Sequence, residues 1–431
     1  MKNDNESMNN QWFHFYVEKY EKPSATLLID FMDEDEYLSF RRIVQDRIKV
    51  EDLHPDYTML VITDFSSNKV HEGGMLIVCR NIIEEWCERV DKYNIENKQE
   101  EQTENLSNSS ISNNYLMFIN NNNNIELEFQ NGNIISKKYP YKRFLDNSLS
   151  LNKYELDPLF IVQFAADFDT DPQKLIVWNV GQGNANEIVL NEGSLMFDCG
   201  CDWHYSFNQI EDIISKRNIE KVVLIISHWD LDHYKLLDTP NETLMRKVEL
   251  AIFPTIMYSL TSKRIASYLI SRLKQRCYTI SPENCIDTHR LKLKEQLCPF
   301  CEGMCIDLFV GNYVKSTNVS GLSLTVETKS QVLLLTGDHD SSQVWDDQLN
   351  YVKPDTIPRY LNIVVPHHGG GKSPKTIPIL SSFVCNKAII SVGYDNLYGH
   401  PYKTVIDFYK KHFKCVCMTS LSYSDIELPL T

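Results

Sequence analysis

The densest chemistry in the chain lies in seven residues, Ser227-His228-Trp229-Asp230-Leu231-Asp232-His233. Within the six positions from 228 to 233, His228, Asp230, Asp232 and His233 are all able to ligate a metal. They follow an apolar run, Val222-Val223-Leu224-Ile225-Ile226, which reads as a buried strand. The cluster therefore falls where a strand ends and the chain turns, the place where ligands collect in α/β sheets. In a tight turn alternate positions project to the same side, so this spacing offers two residues to one cation and two to a neighbouring one. Four ionisable groups set against a hydrophobic strand are costly unless something compensates them, and a divalent cation does so. The plainer alternative is a charged turn that caps the next helix.

Such a turn needs a sheet to hold it, and from residue 175 onward the pattern supplies one. Apolar and β-branched stretches predict strands over 175–180, 187–190, 194–197, 221–227, 248–253, 322–327, 331–336, 360–365 and 387–392. Helical spacing falls between them, over 207–216, 262–275, 341–350 and 403–412. Paired strands first, then strands alternating with helices, predict an α/β (α+β) domain over 174–431. Residues 1–95 read as a smaller N-terminal α+β module, with strands at 26–31, 59–63 and 75–78 and helices at 36–48 and 81–93. Clustered Glu, Ser and Asn over 96–124 predict a linker or loop, and 125–173 form a connection without a clear pattern.

The charge balance narrows the partners. The chain has 431 residues and a net charge of −15. Residues 1–165 carry 17 Lys+Arg against 28 Asp+Glu, and the rest carries 26 against 30. A protein that coats nucleic acid normally needs a broad basic face, so that class is excluded. A nucleic acid or nucleotide substrate would have to bind locally in the C-terminal part, or through metal ions. The acidic N-terminal module fits a protein partner instead. No apolar run approaches the ~20 residues of a membrane helix, and the polar start lacks a signal core. Twelve cysteines, some solitary in apolar strands such as Cys79 and Cys385, fit reduced thiols. The expectation is a cytoplasmic protein with no membrane role.

The segment His228-x-Asp230-x-Asp232-His233 resembles the metal-binding signature of the metallo-β-lactamase superfamily, with Asp230 where many members have a second His. Flanking motifs resemble the soluble hydrolase domain of ComEC-type DNA-uptake proteins, in the same order. They are Asn179-Val180-Gly181-Gln182-Gly183-Asn184, Phe197-Asp198-Cys199-Gly200, Thr336-Gly337-Asp338, Pro366-His367-His368-Gly369-Gly370 and Tyr398-Gly399-His400-Pro401. The resemblance covers about residues 174–420. It implies a four-layer αβ/βα sandwich with two divalent metal ions, Mn²⁺ or Zn²⁺, at one edge.

Carried over residue by residue, the resemblance gives His228 and Asp230 to one metal and Asp232 and His233 to the other. Asp338 would bridge them, and His367 or His368 would complete the second metal's set of ligands, with the motif favouring His367 slightly. Asp198 would support the ligands by hydrogen bonds. Asn179 and Asn184 stand where that branch usually has Asp, and their amides supply no negative charge to the site. The other His that many members place between signature and bridge has His289 as its sole counterpart here, which reads as a surface residue.

Two further positions bear on chemistry. Gly369-Gly370-Gly371-Lys372-Ser373 offers backbone N–H groups, a cation and a hydroxyl to a phosphate, and is otherwise a flexible loop. His400 is a candidate proton donor to a leaving group, or else a turn histidine. His339 and Asp340 read as local structure. Cys298, Cys301 and Cys305 contain one Cys-x-x-Cys spacing and could bind zinc or be ordinary reduced thiols. The function expected is a two-metal phosphodiesterase or nuclease acting on DNA, with Asp232, Lys372 and His400 as its catalytic residues. A small-molecule hydrolase on the same fold and a non-catalytic binding protein with a vestigial metal site are the alternatives.

Overall fold

The computed structural model describes residues 11–48, 58–63, 65, 70, 72–88, 116–119, 128–130, 172–280, 289–291, 305–310, 321–340, 343–349, 352, 358–371, 382–394, 396, 398–422 and 424–430. The chain divides into two units, one of residues 1–143 with 258–264, the other of 144–257 with 265–431.

The first unit is built on a six-stranded sheet. Its spatial order is Leu116–Ile119, Met59–Thr63, Thr26–Phe31, Trp12–Glu21, Met75–Cys79 and Glu128–Gln130. Trp12–Glu21 pairs antiparallel with both neighbours and supplies Phe13, Phe15 and Val17 to one face. Phe40 and Val44 of the Glu34–Ile48 helix and Trp86 pack on that face. The apolar tetrad Leu116–Ile119 lies inside the stretch expected as linker, and it forms a strand because Met59–Thr63 offers it a parallel edge. Its Asn-rich flanks hide that propensity in the sequence.

The second unit holds two seven-stranded sheets. In the first, the order is Cys277–Ile280, Val248–Pro254, Val222–Ile225, Gly193–Cys199, Ala185–Leu190, Lys174–Val177 and Ile426–Pro429. The second runs His289–Leu291, Cys305–Val310, Leu322–Glu327, Gln331–Leu335, Tyr360–Val364, Val384–Ile390 and Cys415–Met418. Val223, Ile225 and Ile252 from the first sheet share one core with Leu324, Leu333, Leu335 and Val364 from the second. Alternate residues of the second sheet, Val332, Leu334, Leu361 and Ile363, face the other way onto Val405, Phe408 and Tyr409 of the Lys403–His412 helix. The Phe207–Ser215 helix opens on a capping box at Ser206 and buries Ile210 and Ile214. Helices outside two face-packed sheets make the four layers that the resemblance implies.

Val222–Ile225 is parallel to both of its neighbours and buried on both faces, which accounts for its unbroken apolar run. The stretch expected as a helix at 341–350 forms a wide π-type turn over Gln343–Gln348. Among the described residues, no helix is long and apolar enough to cross a membrane.

Candidate metal centre

Both sheets of the second unit deliver chemistry at the C-terminal ends of parallel strands. From the first sheet come Asp198, which ends Gly193–Cys199, and the loop after Val222–Ile225. From the second come Asp338, after Gln331–Leu335, and the His367–His368 pair, after Tyr360–Val364. Asp230 starts a single helical turn, Leu231–Tyr234, which carries Asp232 and His233. That turn sits tightly on the neighbouring loop: a Cβ on Gly200 would lie 1.6 Å from the Asp232 carbonyl oxygen. Asn184 N–H donates to the same carbonyl at 2.8 Å, and its Oδ1 accepts from Asn186 Nδ2 at 2.9 Å. Asn184 thus works through its backbone and its amide rather than through a charge. The Asn179 amide likewise donates to the Ser422 carbonyl.

The side chains converge. His233 Nε2 lies 3.2 Å from Asp338 Oδ1, His368 Nε2 lies 3.4 Å from Asp232 Oδ2, and His228 Nε2 lies 3.4 Å from Asp230 Oδ2. Two groups emerge whose ligand atoms all lie within 4.8 Å of one another, His228 with His233 and Asp338, and Asp232 with His233 and His368. All five of these residues are buried.

The hydrogen bonds behind the histidines decide which nitrogen faces the cluster. Asp198 accepts from Ser227 N–H at 2.6 Å through Oδ1, and from Ser227 Oγ–H at 2.9 Å and His233 Nδ1–H at 2.8 Å through Oδ2. Ser227 Oγ in turn accepts from His228 Nδ1–H at 2.9 Å. His368 Nδ1–H donates to the Ser391 carbonyl at 2.7 Å. With Nδ1 committed in all three rings, the Nε2 atoms of His228, His233 and His368 point inward, buried and with no hydrogen-bond partner. A buried polar atom left so costs about 1–3 kcal/mol. A divalent cation among them removes that cost, and the donor set fits one.

Electrostatics agree with that fit. Burial lowers the His233 pKa, but the charges of Asp338 and Asp198 outweigh it and hold the ring well above its usual value. Burial likewise works against His368, and Asp232 and Asp338 raise it. Asp338 is pushed up by burial yet held well below the ordinary carboxylate value by His367, His233 and His368. The site is thus a pocket of anionic character that binds positive charge, whether protons or a metal.

Of the histidine pair, it is His368 that stands with Asp232 and His233, reversing the slight preference for His367. His367 is 39% exposed, with Nδ1 3.7 Å from Asp338 Oδ2. Both residues adopt left-handed φ of 51°. Asp198, at φ 62°, is strained in the same sense. Such residues cost about 1–3 kcal/mol each and gather at functional sites.

His400 stands at the rim. Its ring lies where a Cβ on Gly370 would be, 2.3 Å from Cε1, and its centroid is 5.7 Å from that of His367. Asn396 accepts from His400 N–H and donates to its carbonyl, fixing the backbone. His339 is local structure: its Nε2–H donates to the Gly321 carbonyl at 2.9 Å, and burial pushes its pKa down to about 4. Lys372, Ser373, Cys298 and Cys301 lie outside the described residues. For His289 and Cys305 the backbone alone is described, in strands. Sequence reasoning missed Ser227 and Ser391. Ser227 was in view as the residue before the signature, but a single hydroxyl carries no spacing signal.

Comparisons with known proteins bear on the same region. The metallo-beta-lactamase superfamily profile matches residues 178–239, from Trp178 through the signature turn to Thr239. No curated protein sequence matches the chain. Among solved structures, CmlA, a diiron beta-hydroxylase from Streptomyces venezuelae, is 11% identical, with 61% of this chain and 55% of that one covered and a TM-score of 0.33. The chain thus spans little more than half the length of that protein. The metallo-beta-lactamase fold protein YhfI from Bacillus subtilis is 12% identical over 60% of this chain and 100% of its own, with a TM-score of 0.34. Igni18, a metallo hydrolase from Ignicoccus hospitalis, is 13% identical over 61% of this chain and 100% of its own, with a TM-score of 0.33. The profile match thus falls on the strand and turn of the second unit that bear the His/Asp cluster.

Proposed function

We propose that this domain is a two-metal hydrolase of phosphodiesters, with DNA strands as its substrates. One observation carries the reading: three buried imidazole Nε2 atoms without hydrogen-bond partners face the carboxylates of Asp232 and Asp338. In this reading His228 and Asp230 hold one divalent cation, Asp232, His233 and His368 hold the second, and Asp338 lies between them. Three carboxylates with three imidazoles form an oxygen-rich set, which suits Mn²⁺ as readily as Zn²⁺. Such a pair, when bound, ionises a water at neutral pH and stabilises charge on the attacked and leaving oxygens of a phosphoryl group.

The chain's own groups do the remaining work. Asp198 and Ser227 keep the Nδ1 protons of His233 and His228 in place, so that both rings present a lone pair. His400 is held at the rim to give its proton to a departing oxygen. Tyr394 and Tyr402, on the loop that carries His400, are 76% and 46% exposed and offer ring faces on which bases can stack. The resemblance to ComEC-type hydrolase domains supports the same substrate. The acidic first unit is a site for a protein partner, since its charge opposes nucleic acid.

The test is a substrate panel. Metal-stripped full-length protein, resupplied with Mn²⁺ or Zn²⁺, is assayed on single-stranded DNA, duplex DNA, RNA, cyclic nucleotides and nitrocefin. Metal-dependent cleavage of DNA is expected. Turnover of nitrocefin or cyclic nucleotides alone would overturn the substrate class, and inactivity on every substrate would overturn the hydrolase reading.

A further inference from the structure

Away from the His/Asp cluster, a second set of metal-capable atoms lies on the Cys415–Met418 strand. Among the described residues, this strand is the edge of the second sheet and pairs with Val384–Ile390. Alternate residues of a strand point to one face, and Cys415 and Cys417 do so with their sulfurs 3.3 Å apart. Cys415 is exposed and Cys417 half-buried, and both are free thiols. Lys387 stands opposite Cys415 in the register of the neighbouring strand.

We propose that Cys415 and Cys417 form a two-thiol chelating site for a soft, thiophilic cation of the Zn²⁺, Cd²⁺ or Cu⁺ class. Geometry separates this from the other use of a thiol pair, a disulfide. Two steps along an extended strand span about 6.6 Å, whereas bridged cysteines most often have Cα atoms about 5.5–6 Å apart. That span lies at the long end of the range that disulfides occupy, about 4.4–6.8 Å, so bridging the pair demands more adjustment than chelation does. A tetrahedral cation with metal–sulfur bonds of ~2.3 Å needs sulfurs about 3.8 Å apart, half an ångström beyond the present contact. A small rotation of one side chain supplies that, and the open edge leaves room for water or a small thiol at the remaining positions. Sulfur donors select soft cations over the hard ones that an oxygen-rich set takes.

The binding step balances as a proton exchange. Each thiol releases its proton as its sulfur bonds the cation, with no change of oxidation state. Burial and the adjacent Cys415 push the Cys417 thiol up to about 11, so its proton is displaced by the metal rather than lost beforehand. Lys387 favours the resulting thiolates by its charge.

Sulfur-to-metal charge-transfer absorption separates this site from the His/Asp cluster, which contains no thiol, and the two substitutions separate it from the other cysteines, Cys298, Cys301 and Cys305 among them. Metal-stripped full-length protein is titrated with Cd²⁺, following that absorption and the number of thiols that react rapidly with a disulfide reagent. In the parent protein a band develops with the first equivalent, and two fast thiols become protected. Cys415→Ser, at the exposed position, and Cys417→Val, which keeps the half-buried position apolar, should each lose that band and the protection. Thermal melting within error of the parent confirms that the strand is intact. A band of unchanged size in both variants would overturn the proposal, as would oxidation of the pair to a disulfide under the mild conditions in which Cd²⁺ fails to protect it.

Discussion

Replacing Asp198 with Asn tests whether the hydrogen bonds behind the histidines set the metal affinity. Asp198 receives three donors, Ser227 N–H on Oδ1 and both Ser227 Oγ–H and His233 Nδ1–H on Oδ2. An amide has one oxygen and one NH₂. If the NH₂ takes the Oδ2 position it meets two donors, and if it takes the Oδ1 position it meets the backbone N–H. In the first orientation His233 escapes by moving its proton to Nε2, which removes the lone pair facing the cluster. Asn tolerates the left-handed backbone at position 198, so the chain path survives and the chemistry alone changes. Losing such an orienting partner weakens metal binding by about 10–100-fold, or ~1.4–2.7 kcal/mol. Chelator-competition titration of Mn²⁺ and Zn²⁺ into the metal-free variant measures it, with thermal melting as the control for folding. An affinity within twofold of the parent for both ions would refute the reasoning.

Other outcomes follow from the same geometry. Asp232→Ala and Asp338→Ala should abolish hydrolysis while circular dichroism stays that of the parent, and unchanged turnover in either would remove that residue from the metal set. His368→Ala should weaken metal binding far more than His367→Ala, since the first ring is buried among ligands and the second is 39% exposed; equal losses by calorimetric titration would contradict the assignment. Gly200→Ala should lower both the melting temperature and the metal affinity, because the added Cβ meets the Asp232 carbonyl at 1.6 Å; a parent-like melt would show that the loops part easily. Burial holds His339 down at about 4 against an ordinary 6.5, so the unfolded chain takes up a proton at a pH where the folded one does not. Stability from this group is therefore complete above about pH 6.5 and declines as pH falls toward 4, by up to ~3 kcal/mol. Urea midpoints of metal-free protein should fall less steeply with acidification in His339→Gln, and parallel slopes would count against it.

Much of the second unit could be read from the chain because its central strands are buried on both faces. Val222–Ile225 and the Val332–Leu335 stretch of Gln331–Leu335 announce themselves as apolar runs, Leu322–Glu327 shows a strand's alternation, and the His/Asp turn follows the first of them directly. The peripheral strands could not be read so. Cys277–Ile280, Cys415–Met418 and Ile426–Pro429 are four residues each. Ile426–Pro429 is a strand because Lys174–Val177, distant in sequence, accepts it as an antiparallel partner. Long-range pairing of that kind leaves no local mark. Within the site, residue types and order pointed to the His and Asp side chains that converge, but that His368 rather than His367 joins Asp232 and His233 depends on the three-dimensional path of the chain, which neighbouring residues do not dictate. Ser227 escaped notice for a related reason: its value lies in one hydroxyl placed between a carboxylate and an imidazole.

The ligand residues are drawn from two separate sheets, with His228, Asp232 and His233 leaving one and Asp338 and His368 leaving the other. An ion seated among them would act as a rivet across the open end of the sandwich, fastening halves that elsewhere hold by apolar packing and a few hydrogen bonds, such as Ser391 Oγ–H to the Gly183 carbonyl. Its free energy of binding would then add to the cohesion of the domain, by about 2.7 kcal/mol when the ion is present at a hundred times its dissociation constant. Heat resistance would become a gauge of metal supply, and a cell short of the ion would hold a looser protein as well as an idle one.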